Sequence, residues 1–239
     1  MITENEKEDI RYLLMRIFKK EIPTLYGNED SSDMVVFDGD IVYDLAGIIP
    51  KDHQYDCGCT KMVIIPEFKD YVIKLPFNGQ FCFDSYEDEE QPVITDEFED
   101  HIQREIDIYN NSPEIVQKIL SPNIFLFKFG GVPVYIQKKI AKTFAEKFYG
   151  IAARERKWEE KKATLDNYTL TTLKNYRKQR PARALDNLFI LDIIKYLQCD
   201  VSKIFEFDIR DMHCNNYGYD KDNKPVIFDY AGFWYDDIS

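Results

Sequence analysis

Apolar positions near the start of the chain recur at helical spacing: Ile10, Leu13, Leu14, Ile17 and Phe18 fall on one stripe. Thr3 and Glu6 form a T-x-x-E capping box ahead of it, and Pro23 lies beyond its end, so the pattern predicts a helix with one buried face. From about Asp33 the period changes. Met34–Phe37, Ile41–Tyr43, Lys61–Ile65 and Tyr71–Leu75 are short runs rich in β-branched residues, the last two stopped by Pro66 and Pro76, and they predict strands. A second helix is expected over about Asp96–Asn110, with Phe98, Ile102, Ile106 and Tyr109 on its apolar face. Asn123–Phe129 and Val132–Ile136 read as a hairpin turning at Gly130-Gly131. Beyond Gln137, residues 141–200 read as mostly helical, with stripes such as Phe144/Phe148/Ile151 and Leu185/Leu188/Phe189/Ile193/Tyr196/Leu197. The tail returns to short β runs, Phe205–Ile209 and Pro225–Phe228. The expected class is α+β, with a β-rich part over residues 1–139 and a helical part over 140–239.

Composition narrows the function classes. Of 239 residues, 44% are hydrophobic, enough for a packed core and against disorder. No run approaches the roughly 18–20 apolar residues of a membrane helix, and the acidic N-terminus lacks a signal-peptide core, so the default expectation is a cytoplasmic protein with no membrane partner. The net charge of −12 disfavours non-specific nucleic-acid binding. Five scattered cysteines read as reduced thiols, and His53 with Cys57-Gly58-Cys59 lacks the spacing of a structural zinc site.

The segment richest in chemistry is Asp211-Met212-His213-Cys214-Asn215-Asn216-Tyr217-Gly218, followed by Val226-Ile227-Phe228-Asp229-Tyr230-Ala231-Gly232. A hairpin over Tyr217–Lys224 would return the strand Val226–Phe228 beside Asn216 and deliver Asp229 there. Hard oxygen ligands gathered in this way suit Mg2+, which takes one or two carboxylates plus substrate phosphates. Asp211 could accept a proton from an attacking hydroxyl.

This D-x-H-x-x-N loop, with its apolar strand and Asp, resembles the protein-kinase-like superfamily. It is most similar to the atypical, small-molecule-kinase branch of aminoglycoside and choline kinase relatives, where a His stands two after the catalytic Asp, as His213 does. The resemblance runs from about residue 45 to 233 and is densest over 211–232. It implies that Asp211 aligns or deprotonates the acceptor hydroxyl, and that Asn216 and Asp229 hold Mg2+ against the phosphates of ATP. It also calls for a third-strand lysine paired with a helix glutamate. Lys74 sits inside the apolar run Tyr71–Leu75, where an unpaired ammonium is costly, and Glu105 lies on the apolar face of the following helix, three after Ile102. Lys74 and Glu105 are therefore the expected pair, with Glu97 and Glu99 as alternatives, and Lys74 would reach the α- and β-phosphates.

The implied phosphate-covering loop falls on Tyr55–Lys61, where Gly58 permits close approach and Thr60 and Lys61 could touch phosphate; Gly47 precedes it. There is no G-x-G-x-x-G. The implied adenine-binding hinge falls on Gln137-Lys138-Lys139.

Three departures accompany the resemblance. Ile209 stands two before Asp211, although Arg210 keeps its place. The metal-site sequence is Asp-Tyr-Ala-Gly, with its glycine one residue late. The sequence ends at Ser239, ten residues after Asp229. The expectation is a two-lobed kinase-like fold, with a β-rich N-lobe and a reduced, mostly helical C-lobe lacking the activation segment and late helices. The expected activity is Mg2+-dependent, ATP-using phosphoryl transfer to a hydroxyl acceptor, a small molecule or a protein. A nucleotide-binding pseudokinase scaffold serving a protein partner, and an AMP transferase on the same site, are the alternatives.

Plainer explanations compete residue by residue. The D-x-H-x-x-N loop alone could be a turn, Lys74 an edge-strand lysine, and His213 a hydrogen-bonding structural residue. The basic stretch Lys174–Arg183 reads first as a solvated face and second as a patch for an acidic or phosphorylated substrate. The acidic stretch Asp84–Asp100 reads as a solvated insertion.

Overall fold

A computed structural model describes residues 2–17, 52–57, 61–76, 100–129, 132–148, 150–179, 185–198, 208–209, 213–231 and 233–234. The expected strands at 34–37 and 41–43, Gly47, Gly58, Thr60, the acidic stretch up to 99 with Glu97, Phe98 and Glu99, the Gly130-Gly131 turn, the basic residues 180–183, and Asp211 all lie outside the described residues. The described chain mixes helices with small antiparallel sheets, compatible with the expected α+β class. It divides into two compact units. One holds Met1–Arg104 and Asn123–Lys139, the other Glu105–Pro122 and Ile140–Ser239.

The first unit is built on a five-stranded antiparallel sheet, β1 (His53–Cys57), β2 (Lys61–Pro66), β3 (Tyr71–Pro76), β4 (Asn123–Phe129) and β5 (Val132–Lys138), in the order β1-β2-β3-β5-β4. The helix α1 (Glu4–Ile17) starts at the expected capping box: Glu6 N–H donates to Thr3 Oγ1 at 3.2 Å, and Thr3 N–H to Glu6 Oε2 at 3.0 Å. Its buried stripe, Ile10, Leu13, Leu14 and Ile17, shares one core with Met62, Ile64, Ile73, Leu75, Phe127, Val132, Val134 and Ile136. Each such side chain, fully buried, contributes about 1.5–3 kcal/mol. Since strand side chains alternate, Lys61, Val63, Lys74, Tyr135 and Gln137 belong to the opposite face.

The helix α2 (His101–Asn111) is capped by Asp100, whose Oδ1 accepts the N–H groups of Ile102 and Gln103 at 2.9 and 3.0 Å. The division between the units falls within α2, between Arg104 and Glu105. Residues 105–122, grouped above with the N-terminal part, belong to the second unit because Ile108, Val116, Ile119 and Leu120 join its core. They include the short helix α3 (Glu114–Gln117).

In the second unit the expected helical run contains α4 (Phe144–Lys147), α5 (Ile151–Lys162), α6 (Asn167–Gln179) and α7 (Asn187–Leu197). It opens on a short strand instead, β6 (Lys142–Thr143), because Thr143 caps α4 in a second capping box with Glu146. β6 pairs with β8 (Tyr217–Tyr219), which pairs with β9 (Pro225–Ile227); β7 (Asp208–Ile209) pairs with β10 (Phe233–Trp234). All three pairings are antiparallel. Phe144, Phe148 and Phe189 interlock with Tyr217 and Tyr219, the closest pair being Phe189 and Tyr217 with ring centroids 4.4 Å apart. No helix among the described residues is long and apolar enough to cross a membrane.

Gly218 sits where β6 passes closest: a Cβ there would lie 2.2 Å from the Lys142 carbonyl oxygen and 2.9 Å from Thr143 Cα. Neither backbone atom can swing aside. Gly218→Ala is therefore expected to lower the unfolding free energy by about 1–3 kcal/mol, as overpacking does, in urea denaturation followed by circular dichroism; an unchanged midpoint would show that β6 yields.

Candidate functional site

The expected hairpin exists, and it brings Asn216 and Asp229 together. Tyr217 pairs with Ile227, Gly218 with Val226 and Tyr219 with Pro225. The turn closes on Asp220, whose Oδ1 accepts the N–H groups of Asp222 and Lys224 at 2.9 and 3.0 Å, while Asn223 takes a left-handed φ of 60°. At the open end the Asn216 carbonyl accepts two N–H groups, from Phe228 at 3.0 Å and from Asp229 at 3.3 Å. Asn216 is buried and Asp229 half-buried.

The loop before the hairpin is tightened locally. Asn216 N–H donates to the His213 carbonyl at 2.9 Å, and Asn215 N–H to His213 Nδ1 at 3.3 Å, which gives the exposed His213 a turn-forming role. The pairing of β7 with β10 joins the chain before Asp211 to the chain after Asp229. On its other side β9 meets the 119–121 segment in parallel, with Ile227 N–H donating to Ile119 O at 2.7 Å and Ser121 N–H to Ile227 O at 2.8 Å.

Glu105 enters the same unit's site from α2. It is 0% exposed, and its Oε1 accepts the Tyr230 N–H at 3.1 Å. Tyr230, itself buried, donates its hydroxyl to the Ser121 carbonyl at 3.0 Å. In the sequence Tyr230 stands out only as part of Asp-Tyr-Ala-Gly, with no role of its own, and Ser121 not at all. The available signal was that a tyrosine in an apolar run needs a partner for its hydroxyl once buried.

In the first unit, Lys74 and Lys61 are 3% and 4% exposed on neighbouring strands, on the sheet face away from α1. Lys74 lies opposite Val63 and Tyr135, and Lys61 opposite Pro76 at the end of β2 that follows residues 58–60. The same face is rich in polar groups. Gln137 is buried opposite Asn123, and Tyr135 donates its hydroxyl to Asp100 Oδ2 at 2.6 Å, tying the sheet to the cap of α2. Of the expected hinge residues, Gln137 and Lys138 end β5. Lys139 is committed to the β2–β3 turn: its N–H donates to Asp70 O at 2.8 Å, and its ammonium donates to the Pro66 carbonyl at 2.9 Å. Its N–H therefore already has an acceptor.

Chemically, the backbone pairing makes neighbours of a carboxamide-bearing and a carboxylate-bearing residue, both types that supply hard oxygen donors. That set fits Mg2+ if phosphates and water complete the shell. No group of three or more His, Cys, Asp and Glu able to hold a metal ion occurs among the described residues. No protein-family model matches the chain, and no curated protein matches it.

Three tyrosines surround this site, and burial raises the hydroxyl pKa of each above the ordinary tyrosine range. For Tyr219 the hydrogen bond to Asp192 at 2.7 Å raises it further, and for Tyr230 the charge of Glu105 does. A folded-state value above the unfolded one means full stability below about pH 10, the unfolded value, and loss above it, because the unfolded chain releases protons the folded one keeps. The urea midpoint should fall as pH rises past about 10, and Tyr219→Phe should make that fall shallower. An equal slope in the variant would mean Tyr219 ionises freely while folded.

Proposed function

We propose that this chain is a two-lobed, kinase-like phosphotransferase that uses ATP and Mg2+ to phosphorylate a hydroxyl acceptor, in the cytoplasm. The observation that carries the reading is the Asn216 carbonyl accepting both the Phe228 and Asp229 N–H groups. It draws together the backbones of two residues thirteen apart in the sequence, the proposed ligands, in the order the resemblance requires. The order of the other elements supports the same reading. Residues 58–60 join the first two strands of the five-stranded sheet, Lys74 lies on its third, and α2 with Glu105 follows before the fourth.

Asn216 and Asp229 would hold Mg2+, which supplies charge neutralisation at the phosphates when bound. Asp211 would accept the acceptor's proton and align its oxygen. Lys74, with Glu105 as counter-charge, would serve the α- and β-phosphates, helped by Gly58, Thr60 and Lys61. The backbone of Gln137 and Lys138 would meet adenine, with Lys139 contributing only its carbonyl, since its N–H is taken by Asp70 O.

Mg2+ with ATP at about a hundred times Kd should stabilise the protein by about 2.7 kcal/mol, read as a rise in Tm. Asp229→Ala should abolish the rise. Asp211→Asn should keep the rise but lose roughly a hundredfold or more in turnover on a metabolite panel. ADP as product supports phosphoryl transfer, and AMP or pyrophosphate would instead indicate nucleotidyl transfer. Binding without turnover would indicate a scaffold, and an unchanged wild-type melting curve removes the nucleotide altogether.

A further inference from the structure

We propose that Glu105 is a positioning residue for Asp229, acting through the Tyr230 amide, and that the Tyr230 hydroxyl completes this hold on Ser121. The inference rests on the proposed Mg2+ role of Asp229 and adds to it a second function for Glu105 beyond that of counter-charge to a lysine.

A side chain holds a ligand in place only if its own φ and ψ are fixed, because each peptide group is a rigid plane and those two dihedrals are the soft ones. Both planes flanking the Asp229 Cα are pinned. On the N-terminal side, the Asp229 N–H donates to the Asn216 carbonyl at 3.3 Å. On the C-terminal side, the plane ends in the Tyr230 N–H, which donates to Glu105 Oε1 at 3.1 Å across 125 residues of sequence. With both planes held, only the side-chain torsions of Asp229 remain free. A carboxylate that is 0% exposed must be hydrogen-bonded to be tolerated, so this bond is also part of why Glu105 can be buried.

The tyrosine ring adds a third anchor. Its hydroxyl donates to the Ser121 carbonyl at 3.0 Å, and Ser121 N–H returns to the Ile227 carbonyl at 2.8 Å. Ile227, the last residue of β9, and Tyr230, the residue after Asp229, are thus tied to the same short segment. Removing the hydroxyl leaves a buried carbonyl with one acceptor bond fewer and frees the ring to shift, loosening the plane that Glu105 holds.

The test separates an oxygen acceptor from a charge. Glu105→Gln keeps a side-chain oxygen for the Tyr230 N–H and removes the charge; Glu105→Leu removes both. Mg2+ affinity is measured by calorimetry at saturating ATP, alongside exchange of the Tyr230 amide in 15N-labelled full-length protein without nucleotide. Glu105→Gln is expected to keep Mg2+ affinity within about twofold and to keep the amide protected, whatever it does to turnover. Glu105→Leu is expected to weaken Mg2+ roughly tenfold or more and to expose the amide, and Tyr230→Phe to weaken it several-fold. If Glu105→Leu does not fold, Glu105→Gln against wild type still decides: a tenfold loss there, or loss of amide protection, overturns the assignment. Equal losses in the Gln and Leu variants also overturn it, leaving Glu105 a counter-charge only. Wild-type protein that binds no Mg2+ with ATP overturns the functional reading itself, and this assignment with it.

Discussion

Two backbone N–H groups converging on one carbonyl, that of Asn216, are what the candidate site depends on. A hairpin alone would leave its open end to fray. Here the last pairing lies beyond the strand, at Phe228 and Asp229, so the chain stays in register up to Asp229. Gly218 belongs to the same constraint, since β8 must lie against the backbone of β6 for the hairpin to seat on the aromatic core. The tyrosines on either side of it, Tyr217 and Tyr219, reach Phe189 and Asp192 on α7 and lock that seating.

The first unit is organised by an asymmetry between the two faces of one sheet. The face toward α1 carries the apolar core, a cluster of aliphatic and aromatic side chains. The other carries Lys61, Lys74, Tyr135 and Gln137, all nearly inaccessible. Buried polar groups survive only when hydrogen-bonded or charge-compensated, so this face is shaped by electrostatics and not by packing alone. Tyr135 shows how: its hydroxyl goes to Asp100, and Asp100 in turn caps α2, so a strand residue sets where the helix begins.

Much of this was legible along the sequence, and the limits have physical causes. Period and capping chemistry are local, so the Thr3/Glu6 start of α1, the β4–β5 hairpin, the Leu188, Phe189 and Ile193 part of the α7 stripe and the hairpin beside Asn216 followed directly from spacing, whereas Tyr196, placed on the same stripe, is exposed. The expectation that a glutamate on the apolar face of α2 would be buried also followed, because amphipathic periodicity fixes which side faces inward. The short strand β6 did not. Its two residues carry no period of their own, and it owes its existence to pairing with β8, far along the chain. The T-x-x-E at Thr143–Glu146 carried the same signal as the one at Thr3 and would have marked the break. Partner identity was the least legible quantity. One oxygen of the Glu105 carboxylate accepts the Tyr230 amide, and backbone amides have no sequence signature.

That separation of local from distant bonds has a kinetic consequence. The hairpin that joins Asn216 to Asp229 closes over a short loop, with its turn stabilised by Asp220 from within, and loops of this size close in well under a microsecond. The bond from Glu105 spans 125 residues and can form only after α2 and the 119–121 segment have docked. Loop-closure entropy therefore favours the backbone pairing of Asn216 with Asp229 before the Glu105 bond, whose closure spans most of the second unit's sequence.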